Sequence, residues 1–174
     1  MELYNVKDEY IKYLQKFDKK VESNKSETRP YIGVVFEIHE QKYYAPFSSP
    51  KPKHIKMKNS VDFRKINNGK LGAINLNNMI PVVEEALVKI DIDNIEDKSY
   101  QSLLREQYYY IRKDEANIIN RAKKLYHIYV TSSREPSQYE DKIKQRCCDF
   151  VILEDASKKY GFDKVINRHK SKQR

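Results

Sequence analysis

Residues 48–58 read SSPKPKHIKMK, which crowds two hydroxyls, four lysines and a histidine into one short run. Those residue types suit a phosphodiester. Ser48 and Ser49 can hydrogen-bond phosphate oxygens, and Lys51, Lys53, Lys56 and Lys58 can offset negative charge, including charge that develops during bond cleavage. Pro46, Pro50 and Pro52 argue against a regular central strand or helix, so Ser48, Ser49, Lys51, Lys53 and His54 are expected on a stiff, exposed loop. His54 reads either as a solvated surface histidine or as a phosphate contact. The bland alternative for the whole loop is an ordinary charged surface.

The composition of the chain points to an anionic partner. Its 174 residues carry 34 Lys and Arg against 25 Asp and Glu, a formal +9, with a pI near 9.3. That balance favours nucleic acid or anionic lipid. A lipid-surface role would call for a basic amphipathic helix, which the pattern lacks. Fourteen tyrosines and no tryptophan offer rings that either stack on unpaired bases or pack half-buried, and packing is the ordinary fate of each one. The only cysteines, Cys147 and Cys148, are adjacent; this is neither a zinc-ligand spacing nor a disulfide framework, and it fits a reducing cytoplasm. The acidic start MELYNVKDEYIKYL is unlike a signal peptide, and no stretch reaches the length of a membrane span. Four glycines and four scattered histidines give no glycine-rich phosphate loop and no histidine metal site, so neither metal nor cofactor is implied.

The elements that must position the loop are mostly strands. Residues 32–38 and 42–47 are apolar runs too close for anything but an antiparallel hairpin, although the turn at His39 and Glu40 lacks an Asn-Gly signal. A short strand at residues 3–6 precedes a helix that Asp8 can cap, with Tyr10, Tyr13, Leu14, Phe17 and Val21 on one face. Polar residues 22–28 deliver Arg29 and Tyr31 to the hairpin. Residues 61–66 and 71–76 form a second hairpin around Asn67-Asn68-Gly69, and Pro81 puts residues 79–83 at an edge or bulge. Residues 84–97 read as an acidic connector. From Ser99 the period turns helical, as one long helix or two with a break, and Tyr139, Ile143 and Cys147, then Leu153, Ala156 and Tyr160, continue it beyond a linker at residues 131–137. The expectation is one α+β domain over residues 1–174, a small antiparallel barrel or curled sheet with added helices, one of them long and in the C-terminal half. The basic tail from about residue 164 is expected to be flexible, or to serve as a phosphate-binding arm.

Taken together, DEYIKYLQKFDKKV, RPYIGVVFEI, KYYAPFSSPK, LGAINLNNMIPV and CCDFVILE, in that order and spacing, resemble the ToxN/AbiQ family of bacterial type III toxin–antitoxin and abortive-infection endoribonucleases. The resemblance implies a fold similar to the barrel toxins of the MazF and CcdB kind. It implies metal-independent cleavage of single-stranded, adenine-rich RNA, in which the ribose 2′-hydroxyl attacks the adjacent phosphorus and leaves a 2′,3′-cyclic phosphate. It also implies a small repeated RNA pseudoknot as antitoxin, cellular and phage mRNA as targets, and a ring-like toxin–RNA assembly. Carried onto this chain, the early helical tyrosine of the family falls on Tyr10, the basic residue before the first long strand on Arg29, and the Thr/Ser-Ser-Pro-Lys motif on Ser48, Ser49, Pro50 and Lys51. Ser49 would hydrogen-bond the scissile phosphate, Lys51 stabilise its charge, Arg29 add a second cation and Tyr10 orient a ribose or phosphate; Tyr10 reads equally as packing. Tyr31, Lys53, His54, Lys56 and Lys58 would contact RNA, and the group that removes the 2′-hydroxyl proton is unassigned. The rival reading is a non-catalytic RNA-binding protein.

Overall fold

The computed structural model describes the backbone of residues 1–24, 26–131 and 137–171, and the side chains of these as far as Tyr160. At its centre stands the expected hairpin, β2 (Tyr31–Ile38) and β3 (Gln41–Ser48), in register from Tyr31 opposite Pro46 to Ile38 opposite Gln41. His39 and Glu40 close it with φ of 47° and 62°, the left-handed pair that a tight hairpin turn requires, reached here without asparagine or glycine. β1 (Glu2–Val6) pairs with the outer side of β2, and β7 (Leu87–Lys89) pairs with β1. On its other side β3 meets β6 (Ile80–Pro81) along its first half and β5 (Ala73–Asn75) along its second, and β4 (Phe63–Lys65) pairs with β5. All pairings are antiparallel, and the order β4-β5-β3-β2-β1-β7 leaves β4 and β7 at the two ends. The molecule is therefore α+β with an unclosed antiparallel sheet, so of the barrel or curled sheet expected from sequence the closed barrel is not found.

Two prolines correct the sequence reading. Pro46 lies buried inside β3, a central strand. The Phe47 N–H donates to the Pro30 carbonyl on the β2 side, so position 46 faces the other way, into the gap where β6 ends and β5 begins. No ladder bond is lost there. Pro52 opens a short helix, α2 (Pro52–Lys56), at its first turn, where a missing N–H costs nothing. The acidic connector also holds more structure than its composition suggests, since β7 lies within it.

The helix over Glu115–Val130 packs against β2 and the last helix against β6. α1 (Asp8–Leu14) starts where Asp8 suggests, but Lys7 is the cap residue, and the Asp8 carboxylate instead accepts from the Glu27 N–H. Tyr10, Ile11, Leu14 and Val21 are buried while Phe17 is exposed. The long helical stretch is two helices, α3 (Lys98–Lys113) and α4 (Glu115–Val130), broken at Asp114. Arg64 grips the Asp114 carboxylate through two nitrogens, tying β4 to the break. Asp97 caps α3 by accepting from the Ser99 and Tyr100 N–H groups at 2.9 and 3.0 Å. α5 (Gln138–Arg146) opens on a Ser137–Glu140 capping box. α6 (Phe150–Ser171) stays helical through most of the basic stretch expected to fray, and residues 132–136 of the linker and 172–174 of the tail lie outside the described residues.

α6 is fastened to β3 by a buried polar cluster. The Glu154 carboxylate accepts from the Tyr43 hydroxyl at 2.7 Å and the Tyr126 hydroxyl at 2.8 Å, and all three residues are buried. Burial and the facing carboxylate push both phenols well above the ordinary tyrosine value, which keeps them protonated as donors. Cys147 and Cys148 are fully buried free thiols nearby in the chain, and burial pushes Cys147 up to about 12. Replacing Glu154 by leucine strands the Tyr126 hydroxyl and leaves that of Tyr43 only a long 3.5 Å bond to the Phe150 carbonyl, and each stranded group costs about 1–3 kcal/mol. Urea unfolding of Glu154→Leu is therefore expected to show a loss of about 2–4 kcal/mol, with Glu154→Gln, which still accepts, losing distinctly less.

Candidate nucleic-acid interface

A groove of about 900 Å³ opens where β3 runs out into the serine-lysine loop. Its walls come from that loop, α2, the β4–β5 hairpin, the start of α3 and the end of α5. Arg29, Ser48, Ser49, Lys51, Lys53 and His54, six residues singled out from sequence, all line it.

The loop is seated by close backbone contact. Gly72, at φ +101°, passes so near Ser48 that an added Cβ would stand 1.9 Å from the Ser48 carbonyl oxygen. Gln107, buried on α3, donates its amide to the Leu71 carbonyl at 2.7 Å and, more weakly, to that of Ser48 at 3.5 Å. Under α2, Gly69 at φ +91° brings its Cα against the backbone of His54, where a Cβ would come within 2.5 Å of the carbonyl oxygen. The Asn-Asn-Gly turn recognised in the sequence is thus the bed on which the loop and α2 rest.

The charges of the groove divide into paired and unpaired sets. Arg29, expected as a second cation, is half-buried, ion-paired to Glu22, and donates from Nε to the Ser23 carbonyl at 2.9 Å. Arg146, from the end of α5, holds the buried Asp62 at 2.8 Å, and Asp62 also accepts from Ser60 at 2.6 Å. Lys51 and Lys53 are exposed and make no ion pair among the described residues. Ser49 is exposed beside them, while the Ser48 hydroxyl donates inward to the Ala73 carbonyl at 3.4 Å. The free donors and the free charge therefore sit together at the mouth.

His54 is not the solvated residue of the sequence reading. It is only 3% exposed, packed with its ring 5.9 Å from that of Phe63. Burial first, then Lys51 and Lys53, hold its pKa below the ordinary value, so it is neutral at neutral pH.

Other expectations move away from the groove. Tyr10 lies in the core, where its hydroxyl donates to the Pro81 carbonyl at 2.8 Å and lies 2.9 Å from Ser157 Oγ; its ring meets Tyr160 edge-on. Packing accounts for it, and it does not line the groove. Tyr31 is likewise buried, at 1% exposure, and offers no face for a base. Lys56 and Lys58 are exposed but outside the groove lining. The groove also contains Tyr100, Asn75, Asn77, Phe63 and Arg146, which sequence reasoning assigned to helix faces and turns or passed over. Only the Asn-Asn turn carried a local signal; Arg146 arrives from far along the chain. Among the described residues no three His, Cys, Asp or Glu side chains gather as a metal cluster, and no helix is long and apolar enough to cross a membrane.

Comparison with known proteins gives one consistent result. The family model for toxin ToxN of the type III toxin–antitoxin system matches residues 2–158. The endoribonuclease ToxN of Bacillus thuringiensis subsp. kurstaki is 34% identical over 161 residues, covering 90% of this chain and 82% of that protein. A structure from work on selective toxin inhibition by a non-coding RNA pseudoknot in bacterial type III systems superposes with a TM-score of 0.82 at 32% identity, over 92% of this chain and 97% of that one. The lactococcal anti-phage endoribonuclease AbiQ superposes with a TM-score of 0.75 at 27% identity, over 92% and 97% of the two chains.

The seating of the loop is testable without reference to function. Gly72→Ala places a Cβ against the Ser48 carbonyl at a left-handed position, and strain of that kind costs about 1–3 kcal/mol. Thermal unfolding should register it clearly, whereas alanine at the exposed Lys70, two positions earlier, should leave the melting temperature close to that of the parent.

Proposed function

The chain belongs to the ToxN toxin family of type III toxin–antitoxin systems, and from that membership we propose that it is an endoribonuclease toxin whose active groove is the one lined by Ser49 and Lys51. The observation that carries the assignment is the coincidence of an exposed hydroxyl with unpaired lysines at the mouth of a groove otherwise neutralised by its own ion pairs. RNA supplies the nucleophile. Its 2′-hydroxyl attacks the adjacent phosphorus, the bond to the 5′-oxygen breaks, and a 2′,3′-cyclic phosphate remains. The protein supplies alignment and charge: Ser49 holds a non-bridging oxygen, and the Lys51 ammonium stabilises the charge that grows on the phosphorane. No metal is required by this scheme, because the lysines provide the positive charge.

Secondary roles follow from the same geometry. The Ser48 hydroxyl faces Ala73, so Ser48 serves by fixing the loop. Arg29, already neutralised by Glu22, contributes shape and hydrogen-bonding more than net charge. Lys53 contacts the RNA backbone beside Lys51, and the exposed Lys56 and Lys58 extend that contact beyond the groove. Single-stranded, adenine-rich RNA is the proposed substrate. A small RNA pseudoknot that fills the groove is the proposed antitoxin, in an RNA-bridged cyclic assembly acting in the cytoplasm against phage. A protein with a formal +9 meets such partners with long-range attraction.

Ser49→Ala removes one exposed hydroxyl, so stability should change by no more than about 0.5 kcal/mol, yet cleavage of a single-stranded RNA should slow by on the order of 100-fold. Lys51→Ala should also abolish cleavage and lower the slope of log K against log salt for RNA binding by about 1. Both are read with end mapping in excess EDTA. Wild-type protein that binds RNA but leaves no cyclic-phosphate ends is a binder only. A folded double variant that cleaves at the wild-type rate moves the active groove elsewhere.

A further inference from the structure

One buried titratable side chain in the groove has no part in the scheme above. His54 lines the groove with Ser49 and Lys51, and its Nδ1 is enclosed without a hydrogen-bond partner. Buried polar atoms in folded proteins are nearly always paired. Nδ1 itself is too enclosed to meet a ligand, so the nitrogen that can act in the groove is Nε2, which is not shut away in this manner. Its backbone position is fixed from below by the Gly69 approach, and its ring is held against Phe63.

The charges around it select the neutral form. Lys51 and Lys53 approach from its own segment. The β4 side contributes the uncharged Phe63, and the turn beneath contributes backbone at Gly69. Lys65 from β4 directs its ammonium to the Ile55 carbonyl at 3.2 Å. The carboxylate of the groove, Asp62, is taken up by Arg146 and Ser60, and Glu22 by Arg29. Among the described residues no unpaired acid acts on the ring to hold it as imidazolium, so it stands ready to accept a proton.

Resting on the nuclease reading, we infer that His54 is the general base that takes the 2′-hydroxyl proton during RNA cleavage. As the 2′ O–H bond breaks, its electron pair forms the new O–P bond, the P–O5′ bond breaks, and the proton moves to the imidazole. The departing 5′-oxygen takes a proton from water, and the imidazolium returns its own to the hydroxide left behind, restoring the neutral ring. Lys51 and Lys53 serve this step twice, by stabilising the phosphorane and by keeping His54 unprotonated.

The test is single-turnover cleavage of a single-stranded RNA between about pH 5 and 8, since a general base shows in the pH dependence of the rate. The wild-type rate constant should rise along an acid limb below the ordinary histidine value and then level off, because only the neutral ring accepts a proton. His54→Gln should fall by about 100-fold or more and lose that limb, while its binding of the same RNA with a 2′-deoxy cleavage site stays unchanged. A merely structural role would move the binding and leave the limb in place. Wild-type rates if both His54→Gln and His54→Asn are folded, or a wild-type profile flat across the range, overturn the assignment; the second result needs no variant to fold. Wild-type protein that leaves no cyclic-phosphate ends at any pH overturns the nuclease reading and this one with it. Cleavage that ignores His54 overturns this one alone.

Discussion

The approach of Gly72 to the Ser48 carbonyl is the constraint on which the groove depends. β3 is shared by three neighbours, β2, β6 and β5, so its path through the sheet is set along its length. Only at Ser48 does it leave the sheet, and there the backbone of the second hairpin comes within a distance that no side chain allows. The loop that follows is therefore not a free surface excursion. Gln107 from α3 ties Leu71 to the same carbonyl, and Pro50 and Pro52 limit what the next residues can do. The side chains of Ser49 and Lys51 owe their position to this seating, since neither side chain has a polar partner among the described residues, while the Lys51 carbonyl accepts from the His54 N–H at 2.9 Å.

Electrostatics completes what sterics begins. The groove contains two arginines matched by two acids: Arg29 to Glu22 closes the local polar loop, and Arg146 to Asp62 joins distant parts of the chain, α5 to the hairpin. Partly buried pairs of this kind fix geometry more than they add stability. Because the arginines are spoken for, the net attraction of the groove for a polyanion falls to Lys51 and Lys53. Their charge is unshared, and exposed lysines trade water for phosphate at little cost. This division separates the residues whose charge is spent within the groove from those whose charge has no match among the described residues.

How much of this was legible in the sequence depends on how local the deciding physics is. The first hairpin, the Asn-Asn-Gly turn and the serine-lysine loop all announce themselves within a few residues, and each is present, whereas the break in the long helix at Asp114 is left open by the pattern. Family resemblance supplied the rest of the site list, but sequence could not say which residues face the groove. Tyr10 and Tyr31 lie at positions where an aromatic fits either a core or a base, and the decision belongs to Ser157, Pro81 and the sheet, all remote in sequence. The pairing of Arg29 was not legible because its partner Glu22 sits in a stretch with no pattern. Pro46 misled because its cost depends on which side of β3 its nitrogen faces, and that side is set by where β6 stops. Burial of His54 follows from a turn some fifteen residues on, and nothing in its own neighbourhood signals it. The barrel expected by analogy fails for a similar reason, since closure is a property of the two end strands together.

The tyrosines show why a basic, tyrosine-rich chain need not be a stacking surface. Tyr10, Tyr31, Tyr43, Tyr44, Tyr126 and Tyr160 are buried, and where their hydroxyls are satisfied the partners are carbonyls, Ser157 and Glu154. A phenol buries a large ring yet still demands a partner for its hydroxyl, so each fixes a direction as well as filling space. Tyr43 and Tyr126 converging on Glu154 lock α6 and α4 to β3, the same strand that ends at Ser48. A second polar lock, Arg64 on Asp114, holds β4 against the α3–α4 break. The strand carrying the loop and the hairpin supporting it are thus each anchored by a directional polar contact on the helical side. Tyr100 and Phe63 are the half-buried aromatic rings of the groove, set apart from the core tyrosines whose directions the fold fixes.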